Sequence, residues 1–495
     1  MFLIMFLFLT IRTQDQCEPF GIRLFLGHYY TFLKIDTDAL RIVFNTKSKC
    51  NNYFSLQVKG DQDFNLTSYK TKFLNMTDVY VDTKANIQYE TYIHTFQIPI
   101  QQTSKIQYIL KQKDSLVKEA IVKLPHLYQN TTKVLFFGDM DSSWKLNRSK
   151  PTFDWFEQQI KEETEFDSLL FTGDMAYDLE SENCLRGEQW LSRISLFTSQ
   201  YPFMIAPGNH DGGYDYKQTF LRQNFQMLYL NEYDTSNYQN NFYSFNIGLV
   251  HFIQYDPVMI VYKADPNNST QERLLSQFKN DLIQAVQNRQ EVPWIVVFTH
   301  YPIYCNYMDD DQCVHNFHYL AEFEKLFQEY HVDLYISGHQ HNYQRNMPYY
   351  QNHSVSFQID GNKYYNYESP ISIIEGAGGA DYGPEIMIYN DQPYTVKQLA
   401  ENGVGLLQVM NKTHLQFQHI QVSTNQIMDE IWIIKTNESA NESANESGIS
   451  FNIWFTIYIL DIMLAIIGCL IMFFYFKNKS NKSKIYKKAL DSNLV

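Results

Sequence analysis

From residue 18 to about residue 127 apolar and polar positions alternate, as at 42–44, 79–81, 106–110 and 120–122, with Gly, Asn and Asp at the breaks. A period of two puts every second side chain on one face, so this stretch predicts short strands in a small antiparallel β-sandwich. After Asn130 the texture changes to fully apolar runs at 134–137, 169–171, 204–205, 295–298 and 334–336. Amphipathic stretches of helical period separate them at 153–163, 271–288 and 320–330. Strands apolar on both faces and alternating with helices predict a covered sheet, whose chemistry belongs at the C-terminal ends of the strands.

The two ends read differently. Residues 1–9 are Met, Phe, Leu and Ile alone, too short to span a bilayer, and read as the core of a secretory signal over 1–13, although a basic start is lacking. Residues 449–476 are mostly Ile, Leu, Phe, Trp and Met with one acid, Asp461, and a Lys-rich tail over 477–495 follows at once. That pattern predicts a single C-terminal transmembrane helix with the tail in the cytosol, hence a type I single-pass membrane protein. Its body then lies outside the cell or in the lumen of a secretory or acidic compartment. Asn-x-Ser/Thr sequons at Asn65, Asn75, Asn130, Asn147, Asn268, Asn352 and Asn411 fit that side, and three more at Asn437, Asn441 and Asn445 read as a glycosylated stalk over 436–448.

Charge narrows the partners. The chain carries 40 basic and 54 acidic side chains, a net −14; the tail holds six Lys and one Asp, which leaves −19 for the remainder. Such a body repels a polyphosphate backbone, so nucleic acid is excluded as the main partner. Of the cysteines, Cys305 and Cys313 flank an Asp-rich segment and predict a local disulfide, Cys17 and Cys50 can pair likewise, and Cys184 is left over. Cys469, within the span, points to a homodimer. Neither a CxxC nor a Cys/His zinc spacing occurs, so the cysteines are structural.

Five strand ends carry the chemistry-bearing residues, in the order Gly138-Asp139, Gly173-Asp174-Met175-Ala176-Tyr177, Gly208-Asn209-His210-Asp211, Thr299-His300 and Gly338-His339-Gln340-His341. Taken singly, a Gly-Asp is most often a turn and a lone His a satisfied core residue. Together they offer carboxylates, a phenol, an amide and imidazoles, all oxygen or nitrogen donors, a set suited to two neighbouring cations of which one can be trivalent.

This series resembles the signature blocks of the metallophosphoesterase superfamily, and Tyr177 in the second block resembles the purple acid phosphatases in particular. The likeness runs over nearly all of residues 18–435. It implies an N-terminal fibronectin-like β-sandwich over 18–127, then a four-layer α/β/β/α metallophosphoesterase domain over 131–395, completed by 396–435. It also implies that Asp139, Asp174, Tyr177 and His341 hold Fe(III), and that Asp174, Asn209, His300 and His339 hold a divalent ion (Zn, Fe or Mn), with Asp174 bridging. On the same likeness a metal-bound hydroxide attacks a small phosphomonoester, His210 contacts the phosphate, and His315 or His318, in the loop after the fourth block, serves the leaving group, with His315 the first choice.

Two positions depart from the family pattern. Asp141 stands where Gly is usual and is expected to face solvent; the acidic 309–311 segment should disfavour highly anionic substrates. The Gly376-Ala377-Gly378-Gly379 stretch lacks the Lys-Ser/Thr of a phosphate loop and reads as a tight turn near the site, and His251 as a core strand residue. The expected activity is therefore that of an acid phosphatase. The rivals are a phosphodiesterase or nucleotide pyrophosphatase on the same scaffold, against which Tyr177 speaks, and a catalytically silent surface receptor, against which the complete donor set speaks.

Overall fold

A computed structural model describes residues 16–436 apart from 28–38, 52, 61–62, 68, 81–84, 100–104, 125–129, 143–147, 213–217, 226–240, 262–268, 307–309 and 385–391. The expected leader, span and basic tail lie outside the described residues, as does all of the stalk after Thr436. Among the described residues no helix is long and apolar enough to cross a membrane.

The N-terminal alternation produces two four-stranded antiparallel sheets. One runs in the order Phe20–Gly27, Ala39–Thr46, Ala85–Pro99, Lys70–Tyr80; the other in the order Phe64–Leu66, Phe54–Lys59, Lys105–Gln112, Ser115–Lys123. In Phe54–Lys59 the period of two is explicit, with Phe54, Leu56 and Val58 buried and the residues between them half-buried. Phe44 of the first sheet meets Phe54 of the second edge-on, ring centroids 4.7 Å apart, so the faces close on one core. Cys17 and Cys50 form the disulfide expected of them, and Cys184 is free and buried. Cys305 is disulfide-bonded; the side chain of Cys313, its expected partner, lies outside the described residues.

The second part holds an eight-stranded and a seven-stranded sheet. Thr132–Phe137 is central to the first, parallel to Ser168–Phe171 and antiparallel to Gly403–Asn411. In the second, Val250–Tyr255, Trp294–Phe298, Leu334–Ser337 and Ile371–Glu375 run parallel in that order. Phe136 bridges the sheets, its ring within 6.5 Å of Phe252, Phe298 and Phe417. Helices cover the outer faces. Phe156 of Lys150–Lys161 stacks on Phe197 of Leu185–Thr198 beside Phe137, and Phe278 of Ser269–Gln287 and Phe323 of Asp310–Glu329 pack on Tyr255. The order is therefore helix, sheet, sheet, helix. Ser168–Phe171 and Trp294–Phe298 are buried at every position, which is why they read as unbroken apolar runs.

The sandwich is keyed to this second part through a wholly buried Arg23. Its Nε and Nη2 donate to the Asn224 carbonyl at 2.9 and 2.7 Å, and Nη2 also donates to Asn45 Oδ1 at 2.9 Å. Burial pulls the guanidinium down to about 9, yet it stays charged at neutral pH because carbonyl oxygens replace its water. His94 is buried in the sandwich between two hydroxyls. Thr46 spends its proton on the Ser48 carbonyl and so accepts from His94 Nε2 (2.8 Å), while Thr71 donates to Nδ1 (3.0 Å). The neutral ring is the form that fits, and burial pulls His94 down to about 4.

That shift links stability to pH. In the unfolded chain the ring takes a proton near 6.5, whereas in the fold it does so only near 4, so the stabilisation is full above 6.5 and is lost as pH falls towards 4. Denaturant unfolding at pH 7 and pH 4 should show the native protein losing up to about 3 kcal/mol more than a His94→Gln variant over that interval. Equal losses would remove His94 as the cause.

Candidate metal centre

The expected residues converge at the C-terminal ends of the parallel strands of both sheets. Asp139 follows Thr132–Phe137, Asp174 and Tyr177 follow Ser168–Phe171, and Asn209 opens a short turn after Phe203–Ile205. His300 follows Trp294–Phe298, and His339 and His341 follow Leu334–Ser337. Asp139, Asp174, Tyr177 and His339 all sit in left-handed backbone, with φ of 53°, 60°, 50° and 72°. Non-glycine residues rarely adopt that region, and each costs about 1–3 kcal/mol that surrounding bonds must offset. Glycine is required where backbone closes on a carboxylate: a Cβ on Gly208 would lie 2.2 Å from Asp174 Oδ1, and one on Gly338 2.5 Å from Asp139 Oδ2. The Gly376–Gly379 turn packs here as expected, Gly378 N donating to the Gly138 carbonyl at 3.0 Å.

His300 Nδ1 donates to the Thr172 carbonyl at 2.8 Å, so the neutral ring turns its Nε2 lone pair into the site. Three other ligand atoms surround that lone pair. Asn209 Oδ1 lies 2.9 Å from it, His339 Nδ1 3.2 Å and Asp174 Oδ2 3.3 Å, while His339 Nδ1 and Asn209 Oδ1 are 3.1 Å apart. Donors bound at roughly 2.0–2.2 Å to one ion at right angles stand about 3 Å apart, so these atoms already have the spacing of a coordination shell. Asp174, His300 and His339 stand out as a group able to hold a metal ion. Beside them Tyr177 Oη is 2.9 Å from His341 Nε2, which is 3.7 Å from Asp139 Oδ1. Asp139 Oδ2 accepts from the His339 amide at 3.0 Å, which ties the two sets together.

The titration behaviour suits cation ligands. Burial pulls His341 down to about 4 and, with the neighbouring His300, His339 well below its ordinary value, so both keep a lone pair available. At Asp174 burial acts to raise the carboxyl, but the surrounding imidazoles, His300 foremost and then His210 and His339, outweigh it and hold the group below the usual range. Asp211, buried beside that charge, is pushed well above its ordinary value. His210 is opposed by burial, yet its bond to Asp178 (Nδ1 to Oδ1, 3.0 Å) and the charges of Asp174, Asp178 and Asp211 prevail and push it up to about 9.

Three departures from expectation are informative. Asp141 is wholly buried rather than solvent-facing: its amide donates to Gly379, its carbonyl accepts from Ser149 Oγ, and Arg193 supplies a countercharge. His315 and His318 lie not in a loop but on helix Asp310–Glu329, which begins upstream of the apolar positions that signalled it; their side chains lie outside the described residues. Asp211 had no assigned role, yet its carboxylate accepts from the amides of Gly208 (2.8 Å), Met175 (2.9 Å) and Asp174 (3.0 Å) and so fixes the strained Asp174 loop. A polar residue set directly after the third-block histidine was the available signal. His251 is the core strand residue expected of it, bonded to Asn246 and Asp281.

Layers of this order, with a carboxylate set between two groups of oxygen and nitrogen donors, are those of the metallophosphoesterase fold, and the comparisons point the same way. Residues 132–343 match the calcineurin-like phosphoesterase family, and residues 369–430 match iron/zinc purple acid phosphatase-like protein C. The chain is 29% identical over 296 residues to acid phosphatase type 7 of Danio rerio, covering 56% of this chain and 64% of that protein. It is 29% identical over 281 residues to acid phosphatase type 7 of Homo sapiens, covering 54% and 61%. It thus spans less than two thirds of the length of these relatives. In fold it is similar to a purple acid phosphatase from yellow lupin (Lupinus luteus) seeds, with a TM-score of 0.67 at 17% identity over 85% of this chain and 75% of that one. The chain thus carries a calcineurin-like phosphoesterase domain followed by a segment like the C-terminal part of iron/zinc purple acid phosphatases, and it is similar to acid phosphatases of this kind.

Removing the Asp211 carboxylate should be felt first at the Asp174 loop. Asp211→Ala strands three buried amide donors and is expected to cost about 2–4 kcal/mol in denaturant unfolding, while Asp211→Asn, which keeps an acceptor oxygen, should cost roughly half. Equal costs for the two would mean that packing, not the hydrogen bonds, is what matters.

Proposed function

We propose that the chain is an acid phosphatase that hydrolyses small phosphomonoesters at a binuclear Fe(III)–divalent centre. The observation that carries this reading is the shell of Asp174, Asn209, His300 and His339 atoms at 2.9–3.3 Å, adjoining the Tyr177–His341 contact at 2.9 Å. Asp174, Asn209, His300 and His339 would hold the divalent ion; Asp139, Tyr177, His341 and the shared Asp174 would hold iron, for which a phenolate is a strong ligand. When bound, such a pair supplies an activated water at acidic pH and draws charge from the phosphoryl oxygens.

The chain's own residues supply the rest. His210 is anchored twice, its amide donating to Asp174 Oδ1 at 2.8 Å and its ring lying 4.8 Å from that of Tyr177. Asp178 engages Nδ1 and keeps the imidazole cationic, which leaves Nε2–H to bind a phosphoryl oxygen of the substrate. His315 or His318, on the helix after the fourth strand end, would pass a proton to the departing alkoxide.

We place the protein on the secretory side of the membrane, anchored through residues 449–476. The Cys17–Cys50 disulfide and the exposure of the sequon residues Asn65, Asn75, Asn130, Asn352 and Asn411 support that reading.

The full chain, purified from a secretory host, should contain iron and a second metal, show a visible phenolate band, and cleave an aryl phosphomonoester faster than the diester, favouring acid. Colourless protein or dominant diester cleavage would move it to another branch of the superfamily; metal-free, inactive protein would support the silent receptor. Tyr177→Phe should abolish the band with the circular dichroism unchanged, and Asp174→Asn should lose both metals. A retained band, or a full second equivalent in the Asn variant, would refute the corresponding assignment.

A further inference from the structure

Resting on that binuclear reading, we propose that Tyr301 is a positioning residue for the divalent half of the centre. It directly follows His300 and is 2% exposed, so its phenol is enclosed with the site. Its ring centroid lies 4.4 Å from that of His339, tilted by 50°, and 5.2 Å from that of His300, edge-on at 76°. Its hydroxyl donates to Asn209 Oδ1 at 3.3 Å, a long bond to the oxygen that also faces both imidazoles. These contacts fall on the three residues that would hold the divalent ion without sharing it.

Each contact removes a freedom that would blur the shell. A carboxamide can present either its oxygen or its NH2 group, and only the oxygen can bind a cation; a phenol that donates selects the oxygen. The carbonyl oxygen has two lone pairs, so one can accept from Tyr301 while the other faces the ion. The ring blocks rotation of His339 and His300 away from the positions that set their 3.2 Å separation. Tyr301 is held in turn, since its own carbonyl accepts from the hydroxyl of Tyr335, which is buried between the strand and helix layers. Such outer contacts typically contribute 10–100-fold in metal affinity.

The test is metal retention rather than turnover. Wild-type and Tyr301→Phe holoprotein are dialysed against graded chelator, with both metals counted per chain and the phenolate band recorded. The Phe variant keeps the ring and loses the hydroxyl. It should release the divalent metal at about tenfold lower chelator, with iron and band unchanged. Equal divalent retention, or parallel loss of both metals, would overturn the proposal. Should Tyr301→Phe not fold, Tyr335→Phe frees the Tyr301 carbonyl instead; it should shift divalent retention alone and less, and no shift would overturn the proposal. A wild-type protein holding a single metal would sink the binuclear reading and this inference with it, whereas two metals in wild type with no change in the variants would sink only the role of Tyr301.

Discussion

A carboxylate removed from water stays ionised only if the protein replaces its solvent shell, and in this fold that demand is met at Asp174. Polarisable groups surround its side chain, and a second buried carboxylate, Asp211, grips two consecutive amides of the turn that carries it, those of Asp174 and Met175. The turn is strained, since Asp174, Ala176, Tyr177 and Asp178 all have positive φ. The three amide bonds of Asp211 offset that strain, and the loop so held carries Tyr177 Oη to 2.9 Å from His341 Nε2. The left-handed backbone is thus what allows one short loop to present a carboxylate and a phenol to the same small volume.

The same logic explains the pairing of two sheets. The seven-stranded sheet supplies only half of the shell, His300 and His339 from adjacent strands, whose ligand atoms stand 3.2 Å apart. Bringing Asp174 and Asn209 from one sheet against His300 and His339 from the other yields contacts near 3 Å. Phe136, packed against Phe252 and Phe298, holds the sheets at the distance at which these ends meet.

Much of this was legible in the chain, for identifiable reasons. Strands such as Ser168–Phe171 and Trp294–Phe298 are buried on both faces and announce themselves as apolar runs, and the residue just past each run is where the donors stand. The alternation of Phe54–Lys59 likewise shows a strand with one buried face. What escaped were interactions made by residues whose type is unremarkable. Asp141 looks like a loop acid, and only the packing of Ser149 and Gly379 around it decides its burial. Tyr301 is one aromatic among many, and its place against His339 depends on how two sheets meet, which no local pattern encodes. The start of helix Asp310–Glu329 was misplaced because its first turns bear polar and acidic residues.

The Arg23 key has a consequence for how the chain is made. The strands of the sandwich are contiguous in sequence and leave the ribosome first, yet the carbonyl that accepts from Arg23 lies 201 residues further on, at Asn224. Thr132–Phe137, central to its sheet, likewise waits for Gly403–Asn411 near the end of the described chain. For most of synthesis the nascent protein therefore carries a pre-paired sandwich without the acceptor of its Arg23 and an eight-stranded sheet still lacking a flank. Vectorial folding of this chain is a matter of storing early pieces until late ones arrive, with apolar faces exposed to aggregation in the interval.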